Sequence, residues 1–534
     1  MTEKQGQIVY RSLHAPKENG AVLIEPTPEQ FEKQIKQFCQ SPSTATRVGW
    51  KLKDFYQNKI LARQELIQLL GLDWAAALSA PIVMVGHQPH LFHPGVWMKN
   101  FVTSRIAKKA GGIDVNLIVD NDVSKSPVIA VPTQEQGAIA QIAFDSNAEE
   151  MPYEERLVLN REIASHFAEQ VISAMPPAER DQLIVSFWQA VEAGLDQNGN
   201  WGQALSSARR SAEATWGTEI VDVKLSDLVG THSFARLVLE ITHDALSFAQ
   251  TYNACLADYR KVHGLRSRSH PAPDLEIISE DEIELPFWLW TSNAPRRKRT
   301  FMRRTGDEFT ITDRETIYWT ANFREGKKLV ERLVSELLSP TNLPHRPKLR
   351  PKALITTLYA RLFLCDGFVH GIGGAKYDQV TESIAARWGL GSLAPMQCAT
   401  MTLRLPLPME IVSIEEVRRR KRKQRELTYH PERYLEEADL TVEQRSRAEV
   451  LSSSKREWIS RTAPENLRER HHSISAINAE LSAFLSEVRK RVESEYQDLQ
   501  SRFTAQQPWL SREFAAVLFP EEMLKREFAR VVGG

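Results

Sequence analysis

The strongest constraint on the fold lies between residues 81 and 122. "PIVMV" (81–85) is a short β-branched run bounded by Pro and Gly, the pattern of a buried strand. The loop "GHQPHLFHPG" (86–95) follows, then "VWMKNFVTSRIAKKAGG". In that stretch Met98, Phe101, Val102 and Ile106 recur at i, i+3, i+4 and i+8, one face of a helix. Pro94 suits its first turn, Lys108 and Lys109 its last, and Gly111-Gly112 its stop. "VNLIVDND" (115–122) is a second buried strand that ends in acidic residues. Strand, loop, helix, strand is a βαβ unit, and it predicts a parallel sheet.

The remaining chain is organised around that unit. Residues 1–80 read as a polar leader and then helix, with Thr27, Pro28 and Glu29 as a cap and first turn. Residues 151–265 read as a helical insertion with one strand at "EIVDVKL", and 275–312 as a β-rich segment. Alternating helix and strand return over 324–405, closing an α/β core that spans 81–405. Residues 406–534 form a charged, helical C-terminal region. Its apolar stripe (Ile474, Ile477, Leu481, Phe484, Val488) changes phase before Val492, Tyr496, Leu499 and Phe503. That is a coiled coil with a stutter, paired as an antiparallel hairpin or a homodimer.

At 534 residues the chain exceeds what one core supports. Lys+Arg and Asp+Glu both number 68, so no global field draws it to nucleic acid or an anionic membrane, and neither partner is expected. "RRRKRKQR" (418–425) lacks interleaved aromatics and reads as a solvated helix face. The four cysteines form no CxxC pair, which argues against disulfides and a zinc knuckle. No signal-like leader or membrane-length apolar run is evident, so a cytoplasmic location is expected.

Three readings compete for the histidine loop. His87, His90 and His93, with Asp120 or Asp122, could form a metal site of a hydrolase, although H-x-x-H-x-x-H is not a familiar zinc spacing. Alternatively the loop, set between a strand end and a helix start, could hold phosphate or carboxylate while Asp120 and Asp122 meet an amine. A non-catalytic scaffold built on the C-terminal helices is the third reading. "GIGGAKYDQ" (371–379) offers glycines for close backbone approach, with Lys376 and Tyr377 within reach of a ligand.

The order of these motifs resembles the bacillithiol-biosynthesis cysteine ligase (BshC) family. Members carry a G-H-Q-x-x-L turn after the first core strand, matched here by Gly86, His87, Gln88 and Leu91. Their acidic strand end corresponds to Asp120, Asn121 and Asp122, and a basic β segment to "RRKRTFM" around Arg299. An Arg-Pro element and a glycine turn match Arg350, Pro351, Gly373, Gly374 and Tyr377. The resemblance implies a Rossmann-like core related to nucleotidyltransferases and synthetases, with helical insertions and a C-terminal coiled coil that dimerises. It implies a carbon–nitrogen ligase that joins cysteine to a sugar-malate acceptor, with ATP or ADP as the candidate nucleotide. The chain departs from the pattern at His90, His93, Asn121 and Lys376, all within the implied pocket, so a different amine or acid substrate is open.

Overall fold

The computed structural model describes residues 7–40, 52–124, 126–147, 149–177, 182–341 and 343–533. Its strands are β1 (Val22–Glu25), β2 (Ile82–His87), β3 (Ile113–Ile118), β4 (Val128–Pro132), β5 (Ile139–Ala143), β6 (Val221–Lys224), β7 (Glu282–Thr291), β8 (Ala294–Thr305), β9 (Glu308–Thr312), β10 (Ile317–Asn322), β11 (Pro347–Pro351), β12 (Gly367–His370) and β13 (Met396–Met401). One sheet has the order β1-β13-β12-β2-β3-β6 and is parallel except for β1. The predicted βαβ unit, β2 to β3, lies at its centre.

This sheet is buried on both faces, which is why its central strands are continuous apolar runs rather than alternating ones. Ile82 and Met84 enter one core while Val83 and Val85 enter the other. Helix α1 (Pro94–Ala110) follows β2 and packs on the Val83 face, whereas α3 (Ile372–Arg387) follows β12 and packs on the Met84 face. From β2 the chain moves outward to β3 and β6; from β12 it moves the other way, to β13. The strand order therefore reverses between β2 and β12, and ligands of open α/β sheets bind at the carboxyl ends around such a point.

A second, antiparallel sheet, β10-β9-β8-β7-β11, flanks the first, and the β4–β5 hairpin covers the histidine loop. The β-rich segment is longer than its sequence pattern implies, because β10 and β11 lie beyond residue 312. The segment read as a helical insertion contains α2 (Trp201–Thr215) but also supplies β6 to the main sheet, and the N-terminal segment supplies β1. β6 is the strand read at "EIVDVKL", whereas β1, a four-residue edge strand, carries little periodic signal and has its partner remote in sequence.

The C-terminal helices form an arm. Helix α4 (Ile414–Tyr429) packs against α7 (Ser486–Gln506), and α5 (Val442–Ser460) against α6 (Leu467–Phe484). Leu427, Leu485, Val488 and Val492 fill one seam; Ala448, Leu451, Ile477 and Leu481 fill the other. The stripe thus packs within the chain, and it is divided between two helices at Leu485 (φ −100°, ψ 18°), three residues before the Val488 at which the sequence pattern changes phase. Residues 507–531, grouped with the arm by composition, return to the core and end in α8 (Glu521–Val531), whose Phe528 packs on Phe101 of α1. Among the described residues no helix is long and apolar enough to cross a membrane.

Candidate functional site

β2 delivers Gly86 and His87 to the carboxyl edge, and the loop then turns into α1. His93 closes that turn: its Nδ1 accepts the Gly95 N–H at 3.1 Å and its carbonyl accepts the Val96 N–H at 3.0 Å. Gly95 is required there, because a Cβ would lie 2.3 Å from the Met401 carbonyl oxygen. His93 Nε2 lies 3.5 Å from Glu513 Oε2 on the returning C-terminal segment. His87, His90 and Phe92 instead form a ring cluster with centroids 4.9 to 5.8 Å apart, Phe92 standing edge-to-face with both imidazoles and the two imidazoles tilted at 47°. The three imidazoles therefore do not converge on one point, and among the described residues no three His, Cys, Asp or Glu side chains are grouped to hold a metal ion.

His87 Nδ1 lies 3.1 Å from the Gln88 carbonyl oxygen, which only accepts. Nδ1 therefore carries the hydrogen of the neutral ring, and Nε2 is the basic nitrogen. Gln88 Nε2 donates to Asp122 Oδ2 at 2.7 Å. A carboxylate also only accepts, so the carboxamide is held with its nitrogen on Asp122 and its oxygen away from it. Asp122 Oδ1 takes the Val123 N–H at 2.8 Å and the Arg297 guanidinium at 3.0 Å.

His87, Gln88, His90 and His93 border a cleft of about 360 Å³ whose far wall includes Tyr153, Arg156 and Trp201. The buried Asp145 holds that wall. It accepts the Trp201 indole at 2.7 Å, Arg156 at 3.0 Å and the backbone N–H groups of Ser146, Leu159 and Asn160. None of these far-wall residues was singled out from sequence, because they lie in "MPYEER" and "NGNWG", where no periodicity or motif marks them. Behind the loop, Lys99 is buried with its Nζ 3.3 Å from the Gly86 carbonyl oxygen. Burial pushes that amine down to about 8.

The other predicted residues separate into neighbouring clusters. Asp120 is buried and engaged by Ser226, through its N–H at 2.9 Å and its hydroxyl; burial raises the Asp120 carboxyl. Asn121 Nδ2 donates to the Pro351 carbonyl oxygen at 2.8 Å. Arg299 pairs with Glu276 at 2.7 Å and with Glu284, whereas Arg297, two residues earlier on β8, reaches Asp122. Arg297 and Lys352 both lie 4.8 Å from the centre of the Trp288 ring.

Arg350 is fully buried, bound to the carbonyl oxygens of Leu338 and Ser339 and to Glu154 at 3.2 Å. Burial pushes the Glu154 carboxyl up to about 7, against the pull of Arg350. Gly373, Gly374, Lys376 and Tyr377 form the first turns of α3, whose N-cap is Gly371 with no side-chain cap. A Cβ on Gly374 would lie 2.4 Å from His370 Nδ1. His370, at the end of β12, meets the buried Asp378 Oδ2 through Nε2 at 3.2 Å, and Arg361 pairs with the same oxygen. Burial opposes ionisation of Asp378, yet Arg361 and His370 hold it well below the usual carboxylate range. The sequence pattern had given no reason to single out His370.

No family model matches the chain, and no curated protein matches it in sequence.

Proposed function

We propose that the chain is a carbon–nitrogen ligase for small molecules, built on a Rossmann-like core. It joins an amino acid, cysteine in the family it resembles, to a sugar-acid acceptor. One observation carries the reading: the cleft is edged by two groups whose polarity is set by their neighbours. His87 keeps a basic Nε2, and Gln88 keeps its oxygen away from Asp122. Two acceptors side by side suit an amine nucleophile, with Gln88 Oε1 orienting one N–H and His87 Nε2 taking the proton as the nitrogen bonds to the acyl carbon and the leaving group departs. Arg156 borders the same cleft, with its charge matched by the buried Asp145.

A nucleotide such as ATP or ADP fits better at α3 than at α1. The first turn of α1 is capped by His93, whereas α3 begins at uncapped glycines with Lys376 beside them. When bound there it would supply an activated leaving group. Dimerisation through the arm belongs to the same proposal, since Val442, Val450 and Leu467 are exposed on α5 and α6; sedimentation of the full chain tests it. A cytoplasmic setting would keep the four free cysteines reduced.

The test is turnover of cysteine and other amino acids with sugar-malate acceptors and ATP, read by mass spectrometry. His87→Ala should lower the rate at least about 100-fold while the melting temperature stays unchanged. Absence of a joined product from every amino acid and acceptor, or full activity in His87→Ala, would overturn the reading.

A further inference from the structure

The run 418–425 is a uniform block of charge in sequence, but the fold divides it into two stripes. Arg420 pairs with Glu495 at 2.7 Å and Lys423 with Glu437 at 2.7 Å, which ties α4 to the rest of the arm. Arg418, Lys421, Arg422 and Arg425 recur at i, i+3, i+4 and i+7, so they share another face of the same helix. These four are exposed, and Arg418, Lys421 and Arg422 have no ion-pair partner among the described residues. The antiparallel helix α7 adds Arg489 and Lys490 to that face, also exposed, Lys490 pairing at 2.9 Å with the solvent-exposed Glu487.

Between the two helices runs a groove of about 740 Å³ into which Lys421, Arg422, Arg425, Arg489 and Lys490 project. Against these five cations the lining holds a single carboxylate, Glu493, which accepts the side-chain amides of Gln424 and Gln497 and keeps its charge. In a chain of zero net charge this is a segregated field rather than part of a general basic balance.

We infer that this cationic groove at the base of the arm docks double-helical nucleic acid through its phosphates. The lining decides among polyanions. No aromatic side chain lines the groove, and the exposed Tyr429 beside it already lies under the Arg425 guanidinium at 5.7 Å, so bases of a single strand find no row of open rings to stack on. Leu427 is its one large apolar residue and is buried, so there is neither an anchor for a protein partner nor a wedge for a bilayer. What remains is a double row of long, flexible cations. It advances about 10 Å along α4 between Arg418 and Arg425 and matches a rigid backbone of closely spaced phosphates. Contact of this kind is independent of sequence.

The experiment is fluorescence anisotropy of the full chain with labelled RNA and DNA duplexes at about 50 and about 200 mM salt. Both duplexes should bind, with a log–log salt slope of about −3 to −4, the value for roughly four neutralised phosphates. The variant R418E/K421E/R422E/R489E should bind at least about tenfold more weakly at the lower salt, and Lys525→Glu, on α8, should bind like the parent. Circular dichroism checks the fold; if the fourfold variant unfolds, K421E/R422E gives the same reading. No binding at the lower salt, or equal binding by the charge-reversed variant, overturns the inference. Tighter binding of a single strand or of poly-glutamate than of the duplex also overturns it, in favour of a different partner.

Discussion

Asp122 decides which way round the Gln88 carboxamide is held, and the Gln88 carbonyl decides which nitrogen of His87 carries the hydrogen. Both effects follow from counting donors and acceptors, and neither requires an unusual ionisation. The residues at work here were half legible in sequence. A histidine–glutamine turn after a buried strand and acids at the next strand end placed these residues at the carboxyl edge of the sheet, where the structure has them. Which acid faces the turn was not marked, because Ser226, which takes Asp120, is more than a hundred residues away in sequence. The same limit separates Arg299 from Arg297: two residues apart on one strand, they are told apart only by what the neighbouring sheet brings to them. Lys99 gives the test at this scale. Its amine titrates near 8 in the folded chain and at 10.5 when unfolded, so the unfolded chain binds more protons between those values. Stability contributed by this group therefore rises as pH goes from about 8 to 10.5. Lys99→Met should stabilise the chain by about 1–3 kcal/mol at neutral pH and remove that rise, as read from urea denaturation across the range.

Among the elements, α1 and α2 show how a strongly apolar pattern coexists with buried charge. The hydrophobic face of α1 was plain in the sequence, and so was its stop at Gly111. Its junction with α2 was not, because a single buried carboxyl organises it. Glu213 accepts the Trp97 indole and the Asn100 amide, each at 2.7 Å, and lies 3.4 Å from Arg209. Burial pushes Glu213 up to about 7, against the pull of Arg209, as burial also does Glu154. Folded, each binds its proton up to about pH 7; unfolded, only up to about 4.5. The folded state thus holds more protons in that window, and these two groups make stability fall as pH rises from about 4.5 to 7. Glu213→Gln should flatten part of that fall, with a melting temperature less dependent on pH than the parent's over the same window. A fall of unchanged size in Glu213→Gln would place its origin elsewhere.

For the molecule as a whole, the chain leaves the core along α4 and comes back along α7, so the arm is an excursion and residues 507–531 complete the core. Composition could not reveal this, since charged helix runs almost without interruption from 413 to 505 and gives no sign of a return. The contacts of the returning segment are specific. Ala516 donates its N–H to the Phe92 carbonyl of the histidine loop at 2.9 Å, and the Trp509 indole donates to Ala138 on the loop before β5 at 3.0 Å. Leu518, Phe519, Leu524 and Phe528 are all buried against α1 and its neighbours. Burying four such side chains contributes about 6–12 kcal/mol, comparable to the whole stability of an ordinary domain. The distal arm is different: α5 and α6 pack on each other and on the 431–437 turn, while Leu427 of α4 packs with Leu485, Val488 and Val492, so α4 and α7 meet without residues 430–484. Truncation after residue 506 should therefore unfold or aggregate the core, whereas replacing residues 430–484 by a short Gly-Ser linker should leave its melting transition in place. Calorimetry on the two variants separates these outcomes. A truncated chain that melts like the parent would show that 507–531 only decorates the surface, and with it the claim that the histidine loop is braced from the C-terminus would fail.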